Sequence, residues 1–349
     1  MALGTPRNPG VSYVMPVFNE AGYIENAVNT VLSQDYDGDQ ELILALGPST
    51  DATDEIVAQL TARDRRIVCV HNPNTDIPYG LNLAIKRAKN PVIVRVDAHS
   101  ELEPGYTTRA VQTLQRTGAA NVGGLMKARG KTRFQAATAR AYNSRFGLGG
   151  AAYHDGAAEG PAESAYLGVF RREVLTEVDY YDESLRRGED WELNLRIRAA
   201  GHEVWFDPAL VVTYWPRESW TKLVRQFIAT GAWRGELVRR YAARNPWRFF
   251  APPVLTVAVL LSIVAIILQF TGVLTGWLAL VAWLVYAGPI AYLIFLIVVA
   301  LVADRSASWR DRLLFLLVLP TMHLSWGLGF LIGVVRGARD VSDTSRTDN

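Results

Sequence analysis

The sequence predicts an α/β domain with a doubly wound, mainly parallel sheet, followed by an interfacial helical segment and about three carboxyl-terminal transmembrane helices. In the first half of the chain, short β-rich runs alternate with helical patterns, which is typical of parallel sheets covered by helices. Further along, Asp, Glu, Lys and Arg are missing from the 55 residues Phe249–Ala303 and from the 23 residues Leu313–Val335. About 20 apolar residues cross the hydrocarbon layer, so the first run can hold two crossings and the second run one. This composition excludes a wholly soluble protein, a disordered chain and a disulfide scaffold.

The elements of the predicted sheet follow one another at short intervals. Strands are predicted at Val11–Val17, Glu41–Leu46, Arg66–Val70 and Pro91–Val96, with helices at Tyr23–Ser33, Thr53–Ala62, Tyr79–Lys89 and, further on, Trp191–Ala200. The only cysteine, Cys69, lies in the apolar run Ile67–Val70, so we expect a buried thiol. In doubly wound sheets, ligands bind beyond the carboxyl ends of the strands. Phe18–Glu20, Gly47–Asp51 and Asp97–His99 follow such ends and are therefore candidate site residues.

Charge is unevenly distributed along the chain. Residues 1–216 carry 22 basic and 27 acidic side chains, whereas residues 217–248 carry eight basic and two acidic ones. This basic collar (217–248) also contains the aromatic residues Trp220, Phe227, Trp233, Tyr241 and Trp247. Arginines interleaved with aromatics beside a membrane span suit the headgroup layer of an anionic leaflet, and the adjoining spans argue against nucleic-acid binding. We therefore expect a soluble domain at 1–216 and interfacial helices at 217–248.

The transmembrane domain is expected at residues 249–337, with spans at about 252–270, 276–302 and 313–335, followed by a polar tail at 338–349. No secretory signal is recognisable before the soluble domain, so we expect that domain to be cytoplasmic and anchored at the plasma membrane. The arginine-rich loop 304–312 would then also be cytoplasmic, in agreement with the positive-inside rule. A fourth crossing, made by splitting the second span at Gly288-Pro289, is the alternative.

Several motifs carry a family resemblance. The stretch VMPVFNEAGYIENAVNTVLSQDY resembles the opening of family-2 glycosyltransferases, which have the nucleotide-sugar-binding GT-A fold. The resemblance continues in the same order through GPSTDAT, VRVDAHS, GEDWELNLRIRAAG and RQFIATGAWR, and it covers about residues 11–235. The Asp-Ala-His and Glu-Asp-Trp-Glu-Leu-Asn blocks are most similar to the succinoglycan-biosynthesis type of membrane glycosyltransferase. This resemblance implies transfer of a sugar to a polyprenyl-linked glycan.

Asp97 and His99 are the candidate metal ligands. A departing nucleoside diphosphate accumulates charge that a divalent cation can neutralise. Side chains two residues apart in an extended segment lie on one face, and His99 stands where the family usually has the second aspartate of Asp-x-Asp. Because manganese accepts imidazole nitrogen better than magnesium does, we expect Mn²⁺ to support activity at least as well as Mg²⁺. The alternative is that Asp97 caps the next segment and that His99 is an exposed loop residue.

Glu189 and Asp190 are the candidate catalytic residues. They match the family's Glu-Asp motif, and the resemblance implies that Asp190 is the base that deprotonates the acceptor hydroxyl in an inverting transfer. Glu189 is expected to help to orient the acceptor. The alternative for both is a helix-capping role, because acidic residues stabilise the amino terminus of a helix.

The resemblance also implies a set of donor-binding residues, namely Pro16, Val17, Phe18, Glu20, Gly47, Ser49, Asp51 and Asp97. One departure concerns the nucleoside. Family members carry an acidic pair where this chain has Leu46 and Gly47, so the carboxylate that would contact the base or the ribose is missing. Glu20 or Asp51 could replace it, and UDP is implied by the resemblance alone.

The acceptor side is expected to involve Trp191 together with Arg225, Gln226, Trp233 and Arg234. The last four resemble the family's Gln-x-x-Arg-Trp element without reproducing its order or spacing. In processive synthases that element holds the acceptor near the membrane face. The departure favours the addition of one sugar, and interfacial anchoring by the same side chains is the alternative.

The sequence therefore predicts a membrane-anchored inverting glycosyltransferase that moves a glucose-like sugar from a UDP-sugar to a lipid-linked glycan. One alternative is a polyprenyl-monophosphate sugar synthase, in which the lipid phosphate itself is the acceptor. Another is a non-catalytic membrane scaffold with a degenerate transferase fold, suggested by the missing acidic pair. A channel is disfavoured because spans with almost no ionisable residue offer no polar path.

Overall fold

The computed structural model describes residues 8–144, 146–148, 158–241, 247–302, 308–341 and 345. It divides into two compact units, one formed by residues 1–129 with 151–215 and the other by residues 130–150 with 216–349. The predicted polar tail lies largely outside the described residues.

The first unit is built around one nine-stranded sheet. Its strands are β1 (Val11–Val17), β2 (Gln40–Leu46), β3 (Ile67–His71), β4 (Val92–Arg95), β5 (Ser100–Leu102), β6 (Asn121–Ala128), β7 (Gly160–Pro161), β8 (Val169–Arg171) and β9 (Val204–Tyr214). The order is β3-β2-β1-β4-β8-β6-β9-β5, with β7 paired to β9. The first four strands of this order are mutually parallel, as are β6 and β9, whereas β8, β5 and β7 run antiparallel to their neighbours. The prediction of a doubly wound, mainly parallel sheet is thus confirmed.

Helices cover both faces of this sheet. They are α1 (Ile24–Leu32), α2 (Thr53–Arg63), α3 (Ile77–Arg87), α4 (Tyr106–Thr117), α6 (Arg172–Glu177) and α7 (Glu189–Ala199). Successive residues of β1 alternate between two apolar cores, because side chains of a strand point to opposite faces. Tyr13 and Met15 pack in the core that contains Ile24 of α1, whereas Val14 packs with Leu81 of α3. The central strands are therefore buried on both sides and hold their carboxyl ends in fixed positions.

The expectation of a buried thiol at Cys69 is wrong. Cys69 is exposed, and its sulfur lies 3.3 Å from the hydroxyl of Thr61. The physical reason is that β3 is the outermost strand on its side of the sheet, so that its apolar run does not imply burial on both faces.

The second unit is helical in its described part. It contains α5 (Arg133–Tyr142), α8 (Trp220–Arg240), a 3₁₀ turn (Trp247–Phe250), α9 (Ala251–Phe270), α10 (Gly276–Val302) and α11 (Trp309–Arg336). The last three helices are long and apolar enough to cross a membrane, with α9 and the preceding 3₁₀ turn forming one candidate span. Their bounds agree with the three predicted spans. Since α10 continues without a break through Pro289, the helix does not split at the position that a fourth crossing requires.

Helix α8 makes up most of the basic collar and packs closely against α11. A β-carbon on Gly231 of α8 would clash with the carbonyl oxygen of Trp326. On the other side, a β-carbon on Gly333 of α11 would clash with the carbonyl oxygen of Ala232. Small residues that allow backbones to approach in this way are typical of helix pairs in membranes. The collar helix is therefore attached directly to one of the candidate spans.

Candidate active site

Three side chains of the candidate site meet beyond the carboxyl ends of β1 and β4. The Nδ1 atom of His99 lies 3.1 Å from Oε1 of Glu20, and its Nε2 atom lies 4.0 Å from Oδ2 of Asp97. Glu20 is buried, whereas Asp97 and His99 are half-buried. Because β1 and β4 are adjacent parallel strands, their following loops are brought together at one edge of the sheet. His99 thus lies between the two carboxylates, with a hydrogen bond to Glu20.

A buried arginine connects this group to the predicted catalytic pair. Arg95, the last residue of β4, has a side chain that is only 4 % exposed. Its Nη2 atom lies 3.0 Å from Oε1 of Glu189 and 3.3 Å from Oδ1 of Asp97, and its Nη1 atom donates a short hydrogen bond to Oδ1 of Asp190. We call these four residues the Arg95 cluster. Five of the predicted site residues are therefore joined in one series of polar contacts that runs from Glu20 to Asp190.

The amino terminus of α7 presents Glu189 and Asp190 to the site. The cap residue is Gly188, whose φ angle of +77° lies in the left-handed region that glycine favours, and it makes no side-chain capping bond. The carboxylates of Glu189 and Asp190 instead accept hydrogen bonds from Arg95. The hydrogen bonds that these two carboxylates accept from Arg95 tie the first turn of α7 to the end of β4. The helix dipole still favours negative charge at this position.

The Arg95 cluster has an unbalanced charge, with three carboxylates around one guanidinium. Burial raises the pKa of Asp190 to about 7, and the nearby Glu189 and Asp97 act in the same direction, while Arg95 opposes the shift. The hydroxyl of Tyr181 also lies 3.4 Å from Oδ1 of Asp190. The side chain of Asp190 keeps 23 % of its surface exposed, so a substrate hydroxyl can reach it. The carboxyl group therefore has both the access and the affinity for a proton that a general base needs near neutral pH.

On the donor side, the loops after β1 and β2 are joined by hydrogen bonds. The backbone N–H of Asn19 donates to Oγ of Ser49 over 3.2 Å, and the N–H of Gly47 donates to the carbonyl of Val17 over 2.9 Å. Asp51 accepts from the N–H groups of Ala21, over 3.2 Å, and Thr53, over 3.0 Å. Two proposed substitutes for the missing acidic pair are thus engaged elsewhere, Asp51 in this loop network and Glu20 with His99.

Gly47 lies in a narrow space between two side chains. A β-carbon at this position would lie 3.3 Å from a ring carbon of Phe18 and 3.3 Å from the methyl group of Thr75. A carboxylate in the position used by other family members would require one of these neighbours to move. The remaining predicted donor residue, Pro16, is half-buried near the end of β1.

The residues predicted to contact the acceptor are divided between the two units. Trp191 lies on α7 of the first unit and is largely buried. In the second unit, Gln226 accepts a hydrogen bond from the hydroxyl of Tyr142 over 3.2 Å, and Arg225 is exposed. Both belong to α8.

For Trp233, the expected contact with an acceptor or a lipid interface is wrong. Its side chain is 1 % exposed, and its indole N–H donates to the carbonyl of Val341 over 3.1 Å. The indole ring is buried in the packing between helices, because α8 lies against α11. Arg234, the next residue, places its guanidinium 4.0 Å from the ring centre of Phe249, which is a cation–π contact.

The cation-binding expectation rests on two protein ligands. The described residues contain no group of three or more His, Cys, Asp and Glu side chains placed to hold a metal ion. Asp97 and His99 nevertheless present one oxygen and one nitrogen on the same side of the site, and Nδ1 of His99 is oriented by Glu20. A carboxylate behind the second ring nitrogen is the usual support of a metal-binding histidine. The residues therefore fit a cation that takes its other ligands from diphosphate oxygens and water.

Sequence reasoning missed Arg95 and Tyr181. A signal for Arg95 was present, because it interrupts the otherwise apolar strand PVIVRV, and a buried arginine is almost always paired with acidic groups. Tyr181 gives no comparable signal, since its role depends on how the loop before α7 folds.

Comparisons with known proteins agree with the fold and with the motifs. The model of glycosyl transferase family 2 matches residues 12–178. The succinoglycan biosynthesis protein ExoA of Rhizobium meliloti is 30 % identical over 319 residues, which cover 91 % of this chain and 92 % of that protein.

Two further proteins, one matched by sequence and one by structure, are also similar to this chain. The dolichyl N-acetyl-alpha-D-glucosaminyl phosphate 3-beta-D-2,3-diacetamido-2,3-dideoxy-beta-D-glucuronosyltransferase of Methanococcus voltae is 25 % identical, over 68 % of this chain and 77 % of that enzyme. The mannosyltransferase PcManGT of Pyrobaculum calidifontis, solved with GDP-Man and Mn²⁺, superposes with a TM-score of 0.58 at 15 % identity, covering 95 % of this chain and 91 % of that one. The fold is thus the predicted GT-A fold.

Proposed function

The chain belongs to glycosyl transferase family 2 and is a glycosyltransferase of glycan biosynthesis, and within that family we propose that it transfers one sugar with inversion to a lipid-linked acceptor. The donor that we propose is a UDP-sugar with a glucose-like sugar. The single observation that carries the proposal is the Arg95 cluster, in which the Glu189-Asp190 pair and the donor-side Asp97 share one buried guanidinium.

In the proposed reaction, Asp190 is the base. The acceptor hydroxyl oxygen forms the new bond to the anomeric carbon as the bond from that carbon to the nucleoside diphosphate breaks. The hydroxyl proton passes to the Asp190 carboxylate, and the diphosphate leaves with the bonding electron pair. A pKa of about 7 suits this task, because a base works best when its pKa lies near the working pH. Glu189, on the same helical turn, is proposed to orient the acceptor.

Asp97 and His99 are the residues that would hold a divalent cation. When bound, Mn²⁺ or Mg²⁺ neutralises the charge that develops on the leaving diphosphate. The mixed oxygen and nitrogen ligands favour Mn²⁺. Glu20 contributes by fixing the imidazole ring, so that Nε2 faces Asp97. Phe18, Gly47 and Ser49 are proposed to line the nucleoside end of the same site.

The proposed acceptor is lipid-linked, with the catalytic domain on the cytoplasmic side of the plasma membrane. Three candidate spans and a basic collar support attachment to a membrane. The name of the Methanococcus voltae relative describes transfer to a sugar on dolichyl phosphate, which also supports this acceptor class. Exposed Arg225 and the half-buried Arg234 are proposed to contact phosphate groups near the bilayer.

The test is the release of nucleoside diphosphate from a panel of nucleotide-sugars that includes UDP-glucose, UDP-galactose, UDP-N-acetylglucosamine and GDP-mannose. The protein would be held in nanodiscs with Mn²⁺ and a polyprenyl-diphosphate glycan. We expect turnover of one UDP-sugar by the wild type and by the control Asp35→Asn, which changes an exposed aspartate outside the cluster. Asp97→Ala and Asp190→Asn should both lose nearly all of this turnover.

Other outcomes identify the alternatives. If neither binding nor turnover of any donor is detected, the proposal fails and a scaffold role gains support. If Asp190→Asn remains active with a polyprenyl monophosphate as acceptor, the enzyme is a polyprenyl-monophosphate sugar synthase, because an ionised phosphate needs no base to attack.

A further inference from the structure

Arg95 is a buried cation inside the site, and the family motifs assign it no role here. Its side chain is 4 % exposed, whereas that of Asp190 beside it is 23 % exposed. In the described part of the chain, the ion pairs that Asp97, Glu189 and Asp190 form with lysine or arginine all go to Arg95. A substrate cannot easily reach this guanidinium, but the three carboxylates that it contacts lie on the two opposite sides of the proposed reaction.

The contacts are divided among the nitrogen atoms of one planar group. Nη1 bonds to Asp190, Nη2 bonds to Glu189 over 3.0 Å and to Asp97 over 3.3 Å, and Nε lies 3.3 Å from Asp97. A guanidinium presents its donors in a fixed fork, so that the position of one partner constrains the others. A lysine would carry the same charge without that geometry.

The guanidinium is itself held by the central part of the sheet in the first unit. Arg95 ends β4, which pairs with β1 on one side and β8 on the other, and its backbone N–H donates to the carbonyl of Gly168 over 3.1 Å. The ring of Tyr181 lies 5.8 Å from the centre of the guanidinium, while its hydroxyl contacts Asp190. The arginine therefore transmits the position of the central sheet to the first turn of α7.

We propose that Arg95 is a positioning residue that holds the base Asp190 and the donor-side carboxylate Asp97 at a fixed separation during sugar transfer. This inference rests on the proposed function, because it assigns Arg95 an effect through Asp190. Arg95 has no bond-making step of its own. Its replacement should consequently affect turnover more than donor binding, and it should have no further effect once Asp190 can no longer act as a base.

The test is a double-mutant cycle with Arg95→Lys, Asp190→Asn and the variant that carries both substitutions. Arg95→Lys should lower kcat by about tenfold to a hundredfold, the loss that small displacements of catalytic groups produce. The apparent KM for the donor should change by less than about threefold, well below that effect on kcat. The residual rate of the double variant should equal that of Asp190→Asn within about twofold, since residues that act as one unit are not additive.

Controls separate positioning from folding. Arg109→Lys changes another arginine of the first unit that pairs with a buried carboxylate, and it should leave kcat unchanged. Thermal unfolding and donor binding report whether Arg95→Lys folds. If it does not fold, the cycle is repeated with Arg95→Gln in the background of Glu189→Gln, which removes one carboxylate as the cation is removed.

The outcomes distinguish this inference from the proposed function. The positioning role would be overturned if the losses of kcat in the two single variants multiplied in the double variant, or if Arg95→Lys left kcat unchanged. Either result would leave the proposed transferase function standing. A wild type that transfers no sugar from any donor would overturn the proposed function, and the positioning role with it.

Discussion

Two arginines of the first unit, Arg109 and Arg95, bind different numbers of carboxylates. Arg109 on α4 holds the single carboxylate of Asp207 with two hydrogen bonds of 2.8 and 2.9 Å, and Thr113 and the N–H of Ala209 each add one of 3.0 Å. Arg95, by contrast, is shared by three carboxylates. The Arg109–Asp207 pair is therefore balanced in charge, whereas the Arg95 cluster has more negative than positive groups.

The pKa values of the two aspartates differ accordingly. Burial alone would raise the pKa of Asp207, but its hydrogen bonds from Arg109, Ala209 and Thr113 outweigh burial and lower it. At Asp190, burial and two neighbouring carboxylates outweigh Arg95 and raise the pKa to about 7. A balanced pair thus stabilises the fold, whereas the unbalanced cluster keeps a group that can gain and lose a proton, as catalytic sites require.

The largest expected difference between the two arginines is in the stability lost when each is replaced by methionine. Arg95→Met leaves three carboxylates without their shared cation and should lower the free energy of unfolding by about 3 to 5 kcal/mol, the usual effect of breaking a buried pair. Arg109→Met should cost less, because Asp207 retains hydrogen bonds from Thr113 and Ala209. Thermal unfolding of both variants in detergent checks this order. Equal shifts in Tm would show that the charge imbalance has no energetic consequence.

Asp207→Asn should destabilise the fold without affecting catalysis. The substitution removes charge-assisted hydrogen bonds from a buried carboxylate, with an expected loss of about 2 kcal/mol. Donor turnover per folded molecule should remain at the wild-type level. A large fall in kcat without loss of stability would mean that the balanced pair also belongs to the reaction.

The rate of sugar transfer should depend on pH through Asp190. Below a pH of about 7 the carboxyl group is protonated and cannot accept the acceptor's proton, so kcat should fall by about tenfold for each pH unit on the acidic side. Above that pH the rate should level off. The measurement is kcat between pH 5 and 8.5 for the wild type, with Asp207→Asn as the control that keeps the same profile. A flat profile over this range would exclude a base with a raised pKa.

The smallest expected effect concerns the preference between cations. His99→Asp replaces the nitrogen ligand by an oxygen ligand, so the ratio of activity with Mg²⁺ to that with Mn²⁺ should rise by roughly severalfold. The wild type should lose activity when a chelator is added and regain it with Mn²⁺. Unchanged activity in the presence of the chelator would show that sugar transfer does not need a cation at Asp97 and His99.

Much of the fold was predictable because its signals are local. Strand β1 and the three long apolar helices end within a few residues of the predicted strand and of the expected spans, since their lengths follow from continuous apolar sequence. Cys69 was mispredicted because an apolar run does not reveal that its strand lies at the edge of the sheet. The burial of Trp233 accompanies the packing of α8 against α11, which the sequence of α8 alone does not reveal.

The sequence marks the residues of the candidate site but not the contacts between them. Asp97, His99, Glu189 and Asp190 stand at strand and helix ends where motifs mark them. The sequence does not show that Arg95 joins Asp97, Glu189 and Asp190. Asp190 lies 95 residues further along the chain, so the contact forms only when the first turn of α7 is placed near the end of β4.

The most direct test compares Asp190→Asn with Asp207→Asn in a single-turnover transfer of sugar to the lipid acceptor, each rate being expressed per folded molecule. We expect a loss of about 10²- to 10⁴-fold in Asp190→Asn, the usual contribution of a general base, with donor binding retained. Asp207→Asn should transfer at the wild-type rate. If Asp190→Asn transfers sugar as fast as the wild type, the Arg95 cluster is not the catalytic centre that we propose.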